Sequence, residues 1–291
     1  MGGQLVPASA LLLAAAIWGF TFPLVKDALE EVTAFEFLAV RFVLASLVLA
    51  AMSPRTAKRA LRSGRRAGLI VGLLLAFGHA FQTIGLDLTR STNAGFITGL
   101  YVVFTPVIAA VVLRRRPTRL VIGGVALTTV GLVLLSVQVD AGALSVNLGD
   151  FLVLISAIVY GGQIVALGRY APESDARVLT LQQLAVTAIF FLLLTPTQPM
   201  HVPTTWTVWS ALLATAIGST VFGISVQTWA QARISPTRAA VIFSMEAPFA
   251  ALFAFLLADE RLPAYAWVGA ALIMTGVLAV QLRPGVATHD A

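Results

Sequence analysis

Glu246 is the single charge in VIFSMEAPFAALFAFLL, residues 241–257. A carboxyl in such surroundings is costly unless a partner or water satisfies it. It has three readings: a structural pin hydrogen-bonded to a neighbouring Ser, Thr or Arg, a group that handles substrate or protons, or a gate. Trp18, His79, Gln82, Tyr101, Tyr160, Gln163 and Gln227 also lie well inside long apolar runs. Most have a plainer alternative: His79 as an interhelical hydrogen-bonder, Gln82 and Gln227 as helix bridges, and the aromatic residues as packing. Together these types offer hydrogen bonding, ring contacts and proton exchange, but little covalent chemistry. There is no cysteine, no H-E-x-x-H and no P-loop, and GSTVFG (218–223) is not a G-x-S-x-G turn. No catalytic residue, metal-ligand set or cofactor is expected. An intramembrane enzyme or a channel is kept only as a minor alternative.

The elements that carry these residues are set by composition. Of 291 residues 58% are hydrophobic and 11% charged, too few polar groups to cover a water-facing surface. The apolar residues fall into ten blocks, 8–26, 34–52, 67–88, 92–113, 119–138, 149–168, 177–195, 206–230, 235–257 and 263–282. Each is long enough to cross a hydrocarbon layer about 30 Å thick. The expectation is an all-α polytopic membrane protein with ten transmembrane helices. The first block lacks the basic flank and trailing cleavage site of a signal peptide.

Charge gives the orientation. With the N-terminus in the cytoplasm, 15 of the 19 basic residues fall on the cytoplasmic side, against Lys26, Arg90 and Arg261 opposite. The acids Asp27, Glu30, Glu31, Asp87, Asp140, Asp259 and Glu260 gather on the side opposite the basic clusters. This pattern places both termini in the cytoplasm. It also accounts for the basic pI without a nucleic-acid partner; the expected partners are the bilayer and a small-molecule substrate, with a monomer as the simplest assembly. Arg41, inside the second block, is assigned to a structural ion pair with Glu36.

The chain repeats itself. Sliding 82–136 by 145 positions onto 227–281 gives 12 identities in 55 positions without a gap, among them Gln82-Thr83 on Gln227-Thr228, Gly124 on Gly269 and Gly131 on Gly276. At an offset of 142, Trp18-Gly19 falls on Tyr160-Gly161 and Arg41 on Gln183. The halves are 1–140 and 141–291, five helices each. Five is odd, so the second half enters the membrane from the opposite side, an arrangement typical of secondary transporters. Glu246 and its equivalent Tyr101 then occupy matched positions near the bilayer centre. Gly95 and Gly99, with Pro106 and Pro248 in paired helices, are candidate gating elements, and Pro23 is expected to break the first helix.

AAAIWGFTFPLVK (14–26), FLAVRFVLASLVL (37–49), SMEAPFAALFAFLLADERL (244–262) and WVGAALIMTGVLAV (267–280) resemble the EamA-type members of the drug/metabolite transporter superfamily over essentially the whole chain. Arg114-Arg115-Arg116 departs from the family's usual turn in the first repeat. The resemblance implies a transporter of a bacterial cytoplasmic (inner) membrane. Some members, of the YddG type, export aromatic amino acids; others carry sugars, nucleotide derivatives, cations or drugs. Aromatic rings, a His and amides with few fixed charges suit neutral or aromatic amino acids moved outward by alternating access. Facilitated movement or export of cations, sugars, nucleobases or drugs is the alternative.

Overall fold

The computed structural model describes residues 2–114, 117–136, 147–195, 205–257 and 264–282. Arg115, Arg116, Asp140, the Asp259-Glu260-Arg261 end of the ninth-block motif and Arg283 lie outside them. The described chain is helical throughout. In order come α1 (Gly2–Ala28), α2 (Ala34–Met52), α3 (Pro54–Arg62), α4 (Arg66–Leu88), α5 (Ser91–Gly99), α6 (Tyr101–Val112), α7 (Arg119–Ser136), α8 (Leu148–Tyr170) and α9 (Ala176–Leu194). α10 (Trp206–Leu213) continues through a π-helical stretch, Ala214–Ile224, into α11 (Ser225–Gln231), and α12 (Pro236–Phe243), α13 (Glu246–Leu257) and α14 (Ala264–Leu282) follow.

Among the described residues seven helical segments are long and apolar enough to cross a membrane; shorter apolar helices lie at Arg119–Leu134 and Trp267–Val280. α12 and α13 form a tenth segment, broken in the middle. Leu13, Leu47, Val111, Leu193, Ile217 and Leu278 are exposed, as a surface that meets lipid requires. Buried Phe37, Phe42, Phe96, Phe191 and Phe243 fill the interior. The protein is an all-helical integral membrane protein.

The second five segments repeat the first, with α8 standing for α1, α9 for α2, α10–α11 for α4, α12–α13 for α5–α6 and α14 for α7. Their packing is mirrored: α4 on α8 is matched by α1 on α10 and α11, α6 on α8 by α1 on α13, and α4 on α9 by α2 on the π stretch. α2–α9 and α7–α14 pair helices with their own counterparts, and the broken helices pair crosswise, α5 on α13 and α6 on α12. Local starts repeat too. Thr33 caps α2 through a capping box with Glu36, and Asp175, its equivalent at offset 142, caps α9.

Three sequence expectations change. α1 runs unbroken through Pro7 and Pro23, because packed neighbours hold a transmembrane helix together where one hydrogen bond is lost. Pro106 lies within the continuous α6; the break in the first repeat comes earlier, at Leu100 between α5 and α6. The basic stretch after α2 is not plain loop. It forms α3, with Pro54 in its first turn and Thr56 and Ala60 buried four residues apart. α3 packs against Val178 and Leu181 of α9, and Arg59 pairs with Asp175 at 2.9 Å.

Candidate functional site

Mid-bundle, the helices part around a cavity that leaves about 80 Å³ for the centres of water molecules, where one ordered water needs about 10–15 Å³. It reaches from Trp18, Tyr160 and Glu246 to Val25 and Leu86, close to the ends of α1 and α4 that lie opposite α3. α4 supplies a single stripe, Leu75, His79, Gln82, Thr83 and Leu86, at the three- and four-residue spacing of one helix face. Both broken helices contribute their break: Thr98 and Tyr101 on one, and the repeat equivalents Phe243 and Glu246 on the other.

The breaks are built alike. Leu100 N–H donates to Ile97 O at 3.1 Å, and Met245 N–H to Ile242 O at 3.1 Å. Beyond them Phe104 N–H returns to Leu100 O and Phe249 N–H to Met245 O. Each break precedes the residue that projects into the cavity, Tyr101 or Glu246. Tyr101 hydroxyl donates to Glu246 Oε2 at 3.1 Å. Two residues equivalent under a two-fold relation touch only near its axis, so this pair marks the centre of the repeat.

The rest of the wall is cross-linked. Tyr160 hydroxyl donates to Gln82 Oε1 at 3.0 Å, and Gln82 Nε2 to Thr98 Oγ1 at 3.1 Å. Gln227 Nε2 donates to Gln163 Oε1 at 3.0 Å, and Trp18 Nε1 to Ser219 O at 2.9 Å. His79 Nδ1 lies 3.0 Å from Leu75 O; a carbonyl only accepts, so Nδ1 carries a proton and a neutral ring keeps Nε2 as an acceptor. The ring stands edge-on to Phe42 and Tyr160, with centroids 4.9 and 5.4 Å away. Among the described residues no cluster of three or more His, Asp or Glu side chains could hold a metal ion.

The structure thus brings Trp18, His79, Gln82, Tyr101, Tyr160, Gln163, Gln227 and Glu246 to one cavity. Of the other candidates, Gly95 admits Ala250 of α13, whose Cβ would lie 3.1 Å from an added Cβ, and Gly99 admits Leu132 of α7 at 2.9 Å. Pro248 sits just after the α12–α13 break, and its ring denies Ser244 O the N–H it would receive in a regular helix.

Arg41 and Glu36 do not form the expected pair. Five residues apart on one helix, they point about 140° away from each other, outside the three- and four-residue neighbourhoods where side chains meet. Glu36 Oε2 accepts from Thr33. Arg41 instead turns inward onto the cavity wall, Nε to Thr220 Oγ1 at 2.8 Å and Nη2 to Ser219 Oγ at 2.9 Å. The repeat held the missed signal: Arg41 aligns with Gln183, and Gln183 is fully buried with Nε2 on Thr228 Oγ1 at 2.9 Å.

Comparison with known proteins completes the assignment. The model of the EamA-like transporter family matches residues 6–137 and again 147–282. An uncharacterized transporter of Archaeoglobus fulgidus is 37% identical, covering 94% of this chain and 85% of its own. A second from the same organism is 28% identical over 92% and 94%, and the uncharacterized transporter YyaM of Bacillus subtilis is 22% identical over 89% and 88%. A crystal structure with a TM-score of 0.79 covers 94% of this chain and 96% of its own at 19% identity, and so shares the fold. With both halves matched by the family's model and a relative 37% identical along nearly the whole chain, the chain belongs to the EamA-like transporter family, and it is a membrane transporter.

Proposed function

We propose that the protein exports small neutral metabolites, amino acids with apolar or aromatic side chains first among them, by alternating access. On this reading the repeats 1–140 and 141–291 rock about the cavity. The eight polar and aromatic residues named above contact cargo. Gly95 and Gly99 serve the moving centre, where α5–α6 and α12–α13 are broken, and Pro248 stands beside the second break. Both termini face the cytoplasm of a bacterial inner membrane, and one chain suffices, since the cavity lies within it.

One observation carries the reading: residues contributed by both repeats line one mid-bundle cavity whose wall is rings, aliphatic side chains, amides and hydroxyls, with one guanidinium and one carboxyl. A phosphorylated sugar would call for a cluster of cations. Glu246, with Tyr101 as its hydrogen-bond partner, supports organic cations as the second reading. Counterflow in proteoliposomes decides between them. Amino acids are expected to exchange saturably; exchange confined to amines lacking a carboxylate would establish the cation reading, and unsaturable flux would remove both.

A further inference from the structure

We infer that Arg41, held by the hydroxyls of Ser219 and Thr220, is the carboxylate-binding subsite of the cavity. This rests on the reading of the cavity as a cargo site.

Arg41 is 7% exposed and borders the cavity. Its guanidinium is bonded to two neutral hydroxyls and stacked near Phe42, 5.4 Å from the ring centroid. No carboxylate lies within ion-pair distance of it among the described residues. A cation within a membrane protein's interior ordinarily pairs or marks a substrate path, because an uncompensated buried charge is strongly destabilising. The donor inventory shows what is left to give. Guanidinium has five N–H groups. Thr220 and Ser219 take one each from Nε and Nη2, the side-on edge. The end-on fork of Nη1 and Nη2 remains, the geometry that grips a carboxylate through two parallel hydrogen bonds.

The backbone beneath the two hydroxyls supports the same conclusion. Ser219 and Thr220 lie in the π-helical stretch Ala214–Ile224, and such stretches occur frequently at functional sites. The equivalent segment of α4, residues 69–79, is regular α-helix with Leu74 and Leu75 at the matching positions. The second repeat therefore departs from the first where it receives Arg41. Ser219 also accepts from Trp18 through its carbonyl, which fixes the residue from both sides. A lone guanidinium with two hydroxyls matches a monoanion, and Glu246 in the same wall matches the ammonium of an amino acid.

The test is ligand-induced thermal stabilisation of the purified full-length protein with four probes: phenylalanine, 3-phenylpropionate (no ammonium), phenethylamine (no carboxylate) and acetate, small enough for any cavity of this size. The parent is expected to bind the carboxylate-bearing aromatic probes at least about tenfold more tightly than phenethylamine, as the loss of one charge-assisted pair implies. Arg41→Gln is expected to abolish that preference without lowering the melting temperature of the ligand-free protein, since an unpaired charge has been removed. Should that variant fail to fold, Ser219→Ala and Thr220→Ala keep the charge but loosen the fork, and are expected to weaken carboxylates several-fold while sparing phenethylamine. Three results overturn the subsite: no response to any carboxylate probe, equal binding of phenylalanine and phenethylamine, or a destabilised Arg41→Gln with the preference intact. The amino-acid reading fails separately, if 3-phenylpropionate or acetate binds through Arg41 while phenylalanine does not.

Discussion

The two five-helix repeats agree in their backbone contacts and disagree in the polar groups they bring to the cavity. Trp18 packs on Gly223 where Tyr160 packs on Gly78, and Gly19 meets Phe249 and Ala250 where Gly161 meets Phe104 and Thr105. Each pair of contacts is related by the offsets read from the sequence. The polar complement differs at almost every matched point: Arg41 against Gln183, His79 against Ile224, Leu74-Leu75 against Ser219-Thr220, Tyr101 against Glu246. What must pack is duplicated, and what lines the cavity has diverged except at Gln82 and Gln227, which match. On the axis a carboxylate needs an unlike counterpart. A residue there meets its own counterpart, and two carboxylates face to face would repel, whereas phenol and carboxylate are complementary. The hydrogen bond from Tyr101 to Glu246 is that solution.

The largest effect is expected where backbone meets backbone. A Cβ at Gly19 would lie 2.7 Å from both Ala250 N and Glu246 O, atoms that cannot rotate aside; at Gly161 the nearest atom is Phe104 Cβ at 3.2 Å. Gly19→Val is therefore expected to cost about 3 kcal/mol, the upper end of overpacking, and Gly161→Val about 1 kcal/mol. Thermal unfolding in detergent measures both. Equal losses would mean that α1–α13 and α6–α8 are equally close, and the packing asymmetry would go.

Next comes the axis itself. Tyr101→Phe removes the hydrogen-bond donor that Glu246 has among the described residues and is expected to cost about 1–3 kcal/mol. Glu246→Gln keeps shape and an acceptor, so it is expected to fold normally and to flatten the pH dependence of flux. Flux like the parent's at every pH, together with a destabilised Glu246→Ala, would reduce Glu246 to a structural pin.

The same comparison explains what was legible beforehand. Block length alone placed the helical segments, because an apolar run able to cross a bilayer has few other uses. The repeat register was readable from Gln82, Thr83, Gly124 and Gly131, residues that apolar composition does not repeat by accident. Depth and polarity brought eight residues to one cavity. Direction around a helix is the weak point: the sequence offers Arg41 a partner in Glu36, and the structure turns it to Ser219 and Thr220 instead. Nothing in ATAIGSTVFGI announces a π-helix; Trp18 of α1 and Arg41 of α2 both hydrogen-bond to it. α3 was too polar to register as a span, although its buried Thr56 and Ala60 keep helical spacing.

A smaller effect is expected at the latches. Lys26 Nζ donates to Leu86 O at 3.0 Å and Asp87 O at 2.6 Å, tying α1 to the C-terminal carbonyls of α4 at the cavity's rim. At the other end Gln231, the equivalent of Leu86, donates from Nε2 to Ile164 O at 2.8 Å, tying α11 to α8. Each latch is expected to contribute about 0.5–1.5 kcal/mol, and breaking one favours opening at that end. The chain has no cysteine, so Thr21→Cys gives a clean reporter at the cavity wall. Lys26→Met is expected to speed its labelling by a membrane-impermeant maleimide added from the end opposite α3, and Gln231→Leu to slow it. Equal rates in both variants would show that the latches do not bias the bundle.

The smallest effect is expected at Pro248. In the second repeat the break at Met245 sits where Pro248 withholds an N–H from Ser244 O, which accepts from Ala247 N–H at 3.3 Å instead. Proline alone is a sufficient local cause of such a break. Yet the first repeat breaks at the equivalent Leu100 with Val103 in place of the proline. The shared cause is therefore outside the helix: α1 and α8 press on the segments just beyond the two breaks, at Ala250 and Thr105. Pro248→Ala is expected to leave the angle between α12 and α13 unchanged and to alter stability by less than about 1 kcal/mol, helix propensity gained offsetting rigidity lost. Distances between spin labels at Thr237 and Leu256 measure the angle. A straightened helix with slowed transport would make the break in the second repeat the work of proline, and its match to Leu100 a coincidence of position.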